Sequence, residues 1–380
     1  MRLLLASLLL GYAAYWSLRF SYAYWLFRMN TPASVARAAA LDESNSRYQA
    51  WLAERLENEG QDSSAALEAA ARFDPFDSRV WIRRGLNAEV AGNISDAERF
   101  LLHAAAIDKL IEPRWTLMNF YFRRGEKEQF WRWAKESFAI SYGDRRPLLE
   151  LCWRMNADVS QMSHDPEVLK QLLVFLISKQ RLDEAATLAE HRVIEDRTTL
   201  GDLVERLLDR GDGGRAVGVW NSMCRRGLLP YQPLDPDNGR SLTNANFAVF
   251  PTSVGFDWRV TQEPEITVIK AGSSDGVRVI LSGKEPDSCK LLSQMMPVKP
   301  GQRYRLRFWY RTSGASGIAM SVANQVGPDL VSDEWREQSI SFDSGQQSLA
   351  TLSVEYRRPT GKMRMEGSLS LRAFSLDLEE

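Results

Sequence analysis

The chain has 380 residues, of which 44% are hydrophobic and 26% charged, and its formal net charge at pH 7 is −1. This length predicts two or three domains. The balanced charge excludes a global basic surface of the kind that binds nucleic acid. The wide spacing of the cysteines excludes a disulfide framework, and the spacing of the histidines does not match a metal site. These residues are Cys152, Cys224 and Cys289, and His103, His164 and His191. We therefore expect isolated thiols, no metal site and no cofactor.

An apolar stretch begins the chain, behind a single Arg2. Residues 3–18 carry no charge, and a helix of these 16 residues would span about 24 Å, less than the roughly 30 Å of a bilayer core. Continuing the helix to Arg28 gives sufficient length, with Arg19 inside it. We predict that residues 1–28 form a signal anchor with one transmembrane helix.

Two alternatives stay open for this segment. One is a cleaved signal peptide with Gly11-Tyr12-Ala13 as its best cleavage site, and the other is an interfacial or core helix. Charge does not decide the orientation, because Arg2 lies on one side of the apolar run and Arg19, Arg28 and Arg37 lie on the other. The domain that closes the chain favours a single-pass protein of the inner (cytoplasmic) membrane with an extracytoplasmic, periplasmic body.

Residues 31–229 show helical periodicity with marks that recur along the chain. The marks are the aspartates Asp42, Asp74 and Asp108, each followed within the same repeat by a glycine, Gly60, Gly92 and Gly125 respectively. The aspartates are 32 and then 34 residues apart. Such a period is typical of helix-turn-helix arrays, in which each repeat buries its apolar face against its neighbours.

Large and small residues follow a fixed pattern in the unit that starts at Asp74-Pro75. Its packing residues are Trp81, Gly85, Ala97, Leu101 and Ala104, and Trp115 opens the next unit. These residues resemble tetratricopeptide repeats, whose small residues let paired helices approach closely. The resemblance implies an α-α superhelix over residues 31–229 with a groove for a protein partner.

A second group of helices is predicted from Asp165 to Leu229. Its start, Asp165-Pro166-Glu167, combines a capping residue, proline at the first position and an acid in the first turn. Residues 216–230 resemble the end of a pentatricopeptide repeat, a family that reads single-stranded RNA. One match does not make an array and the chain is neutral, so we expect no nucleic-acid partner and keep RNA binding as a third hypothesis.

Residues 230–241 are predicted to be a linker because three prolines stop the helix. Beyond them the pattern alternates, which predicts an antiparallel β-sandwich over residues 242–380. The predicted strands are Phe256–Val260, Ile266–Lys270, Val277–Ser282, Lys290–Val298, Tyr304–Thr312, Ile318–Ala323, Glu337–Phe342, Thr351–Tyr356 and Ser368–Asp377.

Three segments of this region, 242–247, 294–306 and 369–378, resemble the jelly-roll carbohydrate-binding modules attached to polysaccharide-active enzymes. The resemblance implies the jelly-roll fold and a polysaccharide as a partner. Family members commonly hold a structural calcium between an acidic residue after the opening phenylalanine and another on the last strand. Here Ala248 and Arg372 take those positions, and an arginine opposes a cation, so we expect no calcium.

Alternation along the strand Tyr304–Thr312 separates a core row from an outward row. The core row is Tyr304, Leu306, Phe308 and Tyr310, and the outward row is Arg305, Arg307, Trp309 and Arg311. An aromatic ring flanked by guanidinium groups suits stacking on a sugar and pairing with its carboxylate or hydroxyl groups. Glu355 and Arg357 are expected on the same face of a neighbouring strand. The alternatives are a solvated face and a face covered by another domain.

We expect no enzymatic activity, because the chain has no nucleophile elbow, Ser/His/Asp set or Walker loop. The predicted fold class is multidomain α plus β, and the predicted function is a membrane-anchored scaffold or adaptor. This arrangement resembles bacterial anchor–repeat–jelly-roll proteins associated with exopolysaccharide export and cell-surface assembly. The alternative is a glycan-processing enzyme whose sandwich targets it to substrate, which would need two carboxyl groups placed across a cleft.

Overall fold

The computed structural model describes residues 2–156, 164–272 and 276–379. The chain divides into two compact units, residues 1–163 and 164–380. The first unit is helical, and the second combines helices with two antiparallel β-sheets. The α plus β class is therefore confirmed.

The first unit consists of short helices joined by tight turns. They are α1 (Arg2–Met29), α2 (Pro32–Leu41), α3 (Ser46–Asn58), α4 (Ser64–Phe73), α5 (Ser78–Val90), α6 (Ile94–Ile107), α7 (Ile111–Arg124), α8 (Lys127–Ile140) and α9 (Arg146–Arg154). Polar residues define several starts: Thr31 forms a capping box with Ser34, and the side chains of Asn45 and Asp77 accept hydrogen bonds from backbone N–H groups of α3 and α5. Helices α3 and α4, α5 and α6, and α7 and α8 pack as pairs, which confirms the helix-turn-helix repeat.

The predicted signal anchor is wrong. No helix in the described part of the chain has both the length and the apolar character needed to cross a bilayer. The second half of α1 belongs to the helical array instead: Ala23 and Leu26 are buried against Ala38 and Ala39 of α2, and Arg19 Nε donates a 2.7 Å hydrogen bond to the Leu41 carbonyl oxygen. The transmembrane helix, the membrane contact and the single-pass inner-membrane location are corrected accordingly.

The α5–α6 pair shows why the repeat needs its small residues. Ala97, Leu101 and Ala104 of α6 are buried, and Gly85 of α5 packs against them. The Trp81 ring is half-buried, and its Nε1 donates a 2.9 Å hydrogen bond to the Pro75 carbonyl oxygen. The equivalent Trp115 of α7 is also half-buried.

Replacing Gly85 with alanine is expected to destabilise this pair by about 1–3 kcal/mol, because overpacking a filled contact forces side chains or backbone to shift. The added Cβ would lie 2.6 Å from Leu101 Cδ2 and 3.2 Å from the Ala97 carbonyl oxygen. Thermal unfolding followed by circular dichroism measures the change. Gly214→Ala is the control: its Cβ would have no neighbour within 4 Å, so this helical position should gain up to about 1 kcal/mol. Equal midpoints for both variants would contradict the packing argument.

The second unit begins with four helices. They are α10 (Pro166–Ser178), α11 (Leu182–His191), α12 (Arg197–Asp209) and α13 (Gly213–Arg225). The predicted start at Asp165 is confirmed, because its side chain accepts a hydrogen bond from the Glu167 N–H. All three cysteines of the chain are free thiols, and burial raises the pKa of Cys152 in the first unit to about 12 and that of Cys224 to about 11.

In the described residues that follow, ten strands form two five-stranded sheets. They are β1 (Arg259–Val260), β2 (Ile266–Lys270), β3 (Val277–Ser282), β4 (Ser288–Pro297), β5 (Arg303–Ser313), β6 (Ile318–Val322), β7 (Gln325–Asp329), β8 (Arg336–Asp343), β9 (Leu349–Arg357) and β10 (Glu366–Leu378). One sheet has the order β1-β4-β9-β6-β7 and the other β2-β3-β10-β5-β8, with every neighbouring pair antiparallel. Each of the nine predicted strands overlaps a strand of the structure, although the first, predicted as Phe256–Val260, is limited to Arg259–Val260; β7 is not among the predictions.

The inward rows of both sheets form one apolar core. The predicted core row of β5 is confirmed, since Tyr304, Leu306, Phe308 and Tyr310 are all buried. The segment between α13 and the strands is held against that helix: the Asn221 side chain exchanges two 2.7 Å hydrogen bonds with the backbone of Leu234.

Candidate binding face on the second sheet

The outer face of the β2-β3-β10-β5-β8 sheet, here called the Trp309 face, carries the predicted outward row of β5. Arg305, Arg307 and Trp309 are exposed, and Arg311 is half-exposed. Trp309 exposes 36% of its surface. Since β5 lies between β10 and β8, side chains of three strands can contact one ligand here.

The strand register places particular side chains beside this row. Arg372 of β10 and Glu337 of β8 lie directly opposite Trp309 on its two sides. Ser370 lies opposite Arg311 on β5 and opposite Arg278 on β3. A cross-strand line of Arg278, Ser370 and Arg311 therefore runs next to the Trp309 and Arg372 pair.

The half of the face near Arg305 is electrostatically compensated. Glu379 pairs with Arg303 at 2.9 Å and also with Arg305, and Asp377 pairs with Arg307 at 2.6 Å. A hydrogen bond from the Ser341 hydroxyl, together with Arg305, holds the pKa of Glu379 below its usual value. Asp377 in turn raises the pKa of Arg307.

The half near Trp309 differs, because its arginines contact rings and hydroxyl groups. The guanidinium of Arg372 lies 3.9 Å, and that of Arg311 5.1 Å, from the ring centroid of Trp335, the residue before β8. Arg278 Nε donates a 3.3 Å hydrogen bond to Ser370 Oγ. Among the described residues, Arg278 and Arg311 form no ion pair with a carboxylate. We call Arg278, which contacts Ser370, together with Arg311 and Arg372, which contact Trp335, the arginine cluster.

Two predicted site residues lie elsewhere. Glu355 and Arg357 belong to β9, which pairs with β4 and β6 in the opposite sheet, so the prediction that they share the Trp309 face is wrong. The Glu355 carboxylate accepts a 2.7 Å hydrogen bond from Ser353 Oγ. Strand order depends on long-range pairing that local alternation does not report, which explains the error.

Three residues of the face are not among the predicted glycan contacts: Arg278, Trp335 and Arg372. Arg372 was considered only as an obstacle to calcium. A signal for its position exists in the sequence, because the apolar alternation of β10 changes phase between Leu371 and Phe374. The structure has an irregularity there, with Ala373 at φ 51°, and the register shift keeps Arg372 and Ser375 on the outer face.

The first unit carries a second candidate surface at the turns between its repeats. Phe76, Leu110 and Tyr142 expose 79%, 70% and 89% of their surfaces. They follow α4, α6 and α8 in turn, at intervals of 34 and 32 residues. We call these three side chains the apolar row.

No protein-family model matches the chain, and no curated protein matches it. Parts of the chain are similar to solved structures. PilF from Pseudomonas aeruginosa is 17% identical, with a TM-score of 0.27, and the match covers 56% of this chain and 90% of PilF. The CBM22-1 xylan-binding domain from Paenibacillus barcinonensis Xyn10C is 11% identical, with a TM-score of 0.25, and covers 35% of this chain and 91% of its own. The N-terminal cellulose-binding domain of Cellulomonas fimi beta-1,4-glucanase C is 15% identical, with a TM-score of 0.22, and the match covers 30% of this chain and 89% of that domain.

Proposed function

We propose that this protein is a non-enzymatic adaptor. Its helical repeats bind a protein partner, and its β-sandwich contacts a glycan or that same partner. The proposed setting is exopolysaccharide export or cell-surface assembly, which follows from the sequence resemblance described above.

The apolar row is the observation that carries the proposal. Single exposed apolar side chains are common on protein surfaces, but here large ones recur at the same position of successive repeats, which supports an interaction surface. Phe76, Leu110 and Tyr142 occupy equivalent turns of successive helix pairs. Packed helices are spaced by about 8–10 Å, so a partner lying along these turns would contact one apolar side chain per repeat.

The Trp309 face supports the second part of the proposal. Trp309 and Trp335 supply ring surfaces for apolar faces of a ligand, and the neighbouring guanidinium groups supply donors for its oxygen atoms. In the second unit, helices α12 and α13 pack against residues outside the sheet that carries the Trp309 face. Gly201 of α12 lies beside Val254, and Gly213 of α13 lies beside Leu349 of β9.

The carboxylates in the half of the face near Arg305 support the absence of catalysis. A glycosidase of the two-carboxylate type needs one carboxyl group that stays protonated, and therefore has a raised pKa. The pKa of Glu379 is instead lowered, and Asp377 is paired with Arg307. Both carboxylates act as partners of arginine.

Affinity capture with the full chain tests the proposal. The variant combines Phe76→Ser, Leu110→Ser and Tyr142→Ser, and its control combines Val193→Ser, Val326→Ser and Met363→Ser, which are exposed apolar residues of the second unit. We expect the wild type and the control to retain the same co-purified proteins and the variant to lose them, with about a tenfold or greater loss of affinity for an identified partner.

Equal capture by the variant and the control would contradict a partner site on the apolar row. Release of reducing ends from a polysaccharide by the purified protein would support the glycan-processing alternative. Salt-dependent retention of RNA by the pentatricopeptide-like helical repeats would support the third hypothesis.

A further inference from the structure

We propose that the Trp309 face binds an acidic polysaccharide, one whose sugar residues carry carboxylate groups. This inference rests on the proposed glycan contact of the sandwich and specifies the chemistry of the glycan.

Charge is distributed unevenly over the face. Arg303, Arg305 and Arg307 have carboxylate partners in Glu379 and Asp377. Arg278 and Arg311, one strand away from Ser370 on either side, have no such partner among the described residues. The uncompensated positive charge therefore lies on the two sides of Ser370, where a ligand carboxylate would supply the missing partner.

The guanidinium groups of the arginine cluster are held in position by their neighbours, which favours binding of a planar anion such as a carboxylate. Stacking on the Trp335 ring restrains the guanidinium groups of Arg311 and Arg372. A stacked guanidinium keeps its N–H edge available, and this edge matches a carboxylate. The hydrogen bond to Ser370 Oγ restrains Arg278 in the same way. Because adjacent strands are about 4.8 Å apart, the backbones at Arg278 and Arg311 are separated by roughly 10 Å.

Apolar surface lies beside these donors. Trp309 is in register with Arg372, and Ile269 and Ile280 of β2 and β3 are exposed on the same outer face. A sugar ring has apolar C–H faces and polar edges, so it can stack on Trp309 while its carboxylate reaches the arginine cluster.

A carboxylated glycan fits this face better than a nucleic acid. A nucleic acid carries a phosphate at every nucleotide and needs a positive track along its backbone. Here the arginines without a carboxylate partner among the described residues of the face are Arg278 and Arg311. Glu337 lies opposite Trp309 on one side, and Asp377 and Glu379 continue the face on the other. A carboxylated sugar residue carries its carboxylate beside its own C–H face, so a single residue can contact both the arginine cluster and Trp309.

Binding of the full chain to three polymers tests the inference: polygalacturonate, the same polymer after reduction of its carboxyl groups, and single-stranded DNA. The variants are Arg278→Gln, Arg311→Gln and Trp309→Ala. Arg307→Gln is the matched control, because it removes an arginine of the same strand whose charge is already compensated by Asp377. Arg311→Lys keeps the charge without the planar fork.

We expect polygalacturonate to bind at moderate salt and the reduced polymer to bind at least about tenfold more weakly. Arg278→Gln, Arg311→Gln and Trp309→Ala should each weaken binding about tenfold, Arg311→Lys by less, and Arg307→Gln by under about twofold. Circular dichroism verifies that each variant is folded.

Three results would overturn the inference: equal affinity for the native and reduced polymers, or no binding of either; equal effects of Arg311→Gln and Arg307→Gln; and tighter binding of DNA than of polygalacturonate. The adaptor proposal stands even if acidic-polysaccharide binding is not found, provided that the apolar-row variant still loses its protein partner. The failure of this inference can therefore be distinguished from the failure of the proposed function.

Discussion

Replacing Asp257 with asparagine is expected to destabilise the second unit by about 2–4 kcal/mol, among the largest effects of any single isosteric change in this chain. Asp257 is fully buried. Its Oδ2 accepts hydrogen bonds from Thr252 N at 2.6 Å, Thr252 Oγ1 at 2.8 Å and Tyr231 Oη at 2.7 Å. Its Oδ1 accepts from Trp258 N at 2.8 Å. An amide group would turn one of these acceptors into a donor that faces other donors.

The partners of Asp257 explain why the effect extends beyond one loop. Tyr231 lies in the segment after α13, whereas Thr252 and Trp258 belong to the entry into the sandwich. Burial raises the pKa of Tyr231, and its hydrogen bond to Asp257 raises the pKa further. The tyrosine therefore stays a neutral donor at physiological pH and joins the helices to the sheets.

Urea unfolding monitored by tryptophan fluorescence measures this prediction. Tyr231→Phe removes one donor and should cost about 1 kcal/mol. Asp237→Asn, at an exposed carboxylate paired with Lys299, should change stability by less than about 1 kcal/mol. A midpoint for Asp257→Asn equal to that of Asp237→Asn would show that the buried carboxylate contributes nothing.

Local periodicity predicted most of the β-sandwich, because one face of each strand is buried and its apolar residues alternate. The row from Tyr304 to Tyr310 is the clearest case. Strand β7 escaped prediction since Gln325–Asp329 contains Gly327 and Pro328 and little apolar character. Such residues are tolerated at the edge of a sheet, and β7 lies at an edge.

For the N-terminal helix, by contrast, the local sequence pattern led to a wrong prediction. Apolar composition dominated the prediction for residues 1–28, although Arg19 interrupts the run. The prediction fails because no helix among the described residues is both long and apolar enough to cross a bilayer. Arg19 instead donates a hydrogen bond to the backbone carbonyl of Leu41 on the next helix. The register and capping of a helix follow from its own sequence, whereas its neighbour in the fold does not.

The residues that β5 itself contributes to the Trp309 face were predicted, but the residues contributed by its neighbouring strands were not. The side to which Arg305, Arg307, Trp309 and Arg311 point follows from alternation on one strand. The identity of the adjacent strands follows from pairings between residues far apart in the sequence, such as Trp309 with Glu337 and Trp309 with Arg372. This is why Arg372 was missed and Glu355 was wrongly included.

Replacing Trp220 with alanine is expected to destabilise the second unit by about 3–5 kcal/mol, as for other large buried aromatic side chains. The Trp220 ring is fully buried. It stacks on Tyr231 with centroids 6.0 Å apart and meets the edge of Phe256 at 5.8 Å. Gly255, with φ 59°, packs so closely that a Cβ there would lie 2.5 Å from Trp220 Cζ3. Deleting the ring would leave a cavity between α13 and the sandwich.

A second substitution separates ring packing from hydrogen bonding at this position. Trp220 Nε1 is buried without a hydrogen-bond partner among the described residues, so Trp220→Phe removes no hydrogen bond. It should therefore cost clearly less than Trp220→Ala. Trp309→Ala, at an exposed ring, serves as the surface control and should change stability by less than about 1 kcal/mol. If Trp220→Ala unfolded at the same urea concentration as Trp309→Ala, the packing of α13 on the sandwich would not be what stabilises this unit.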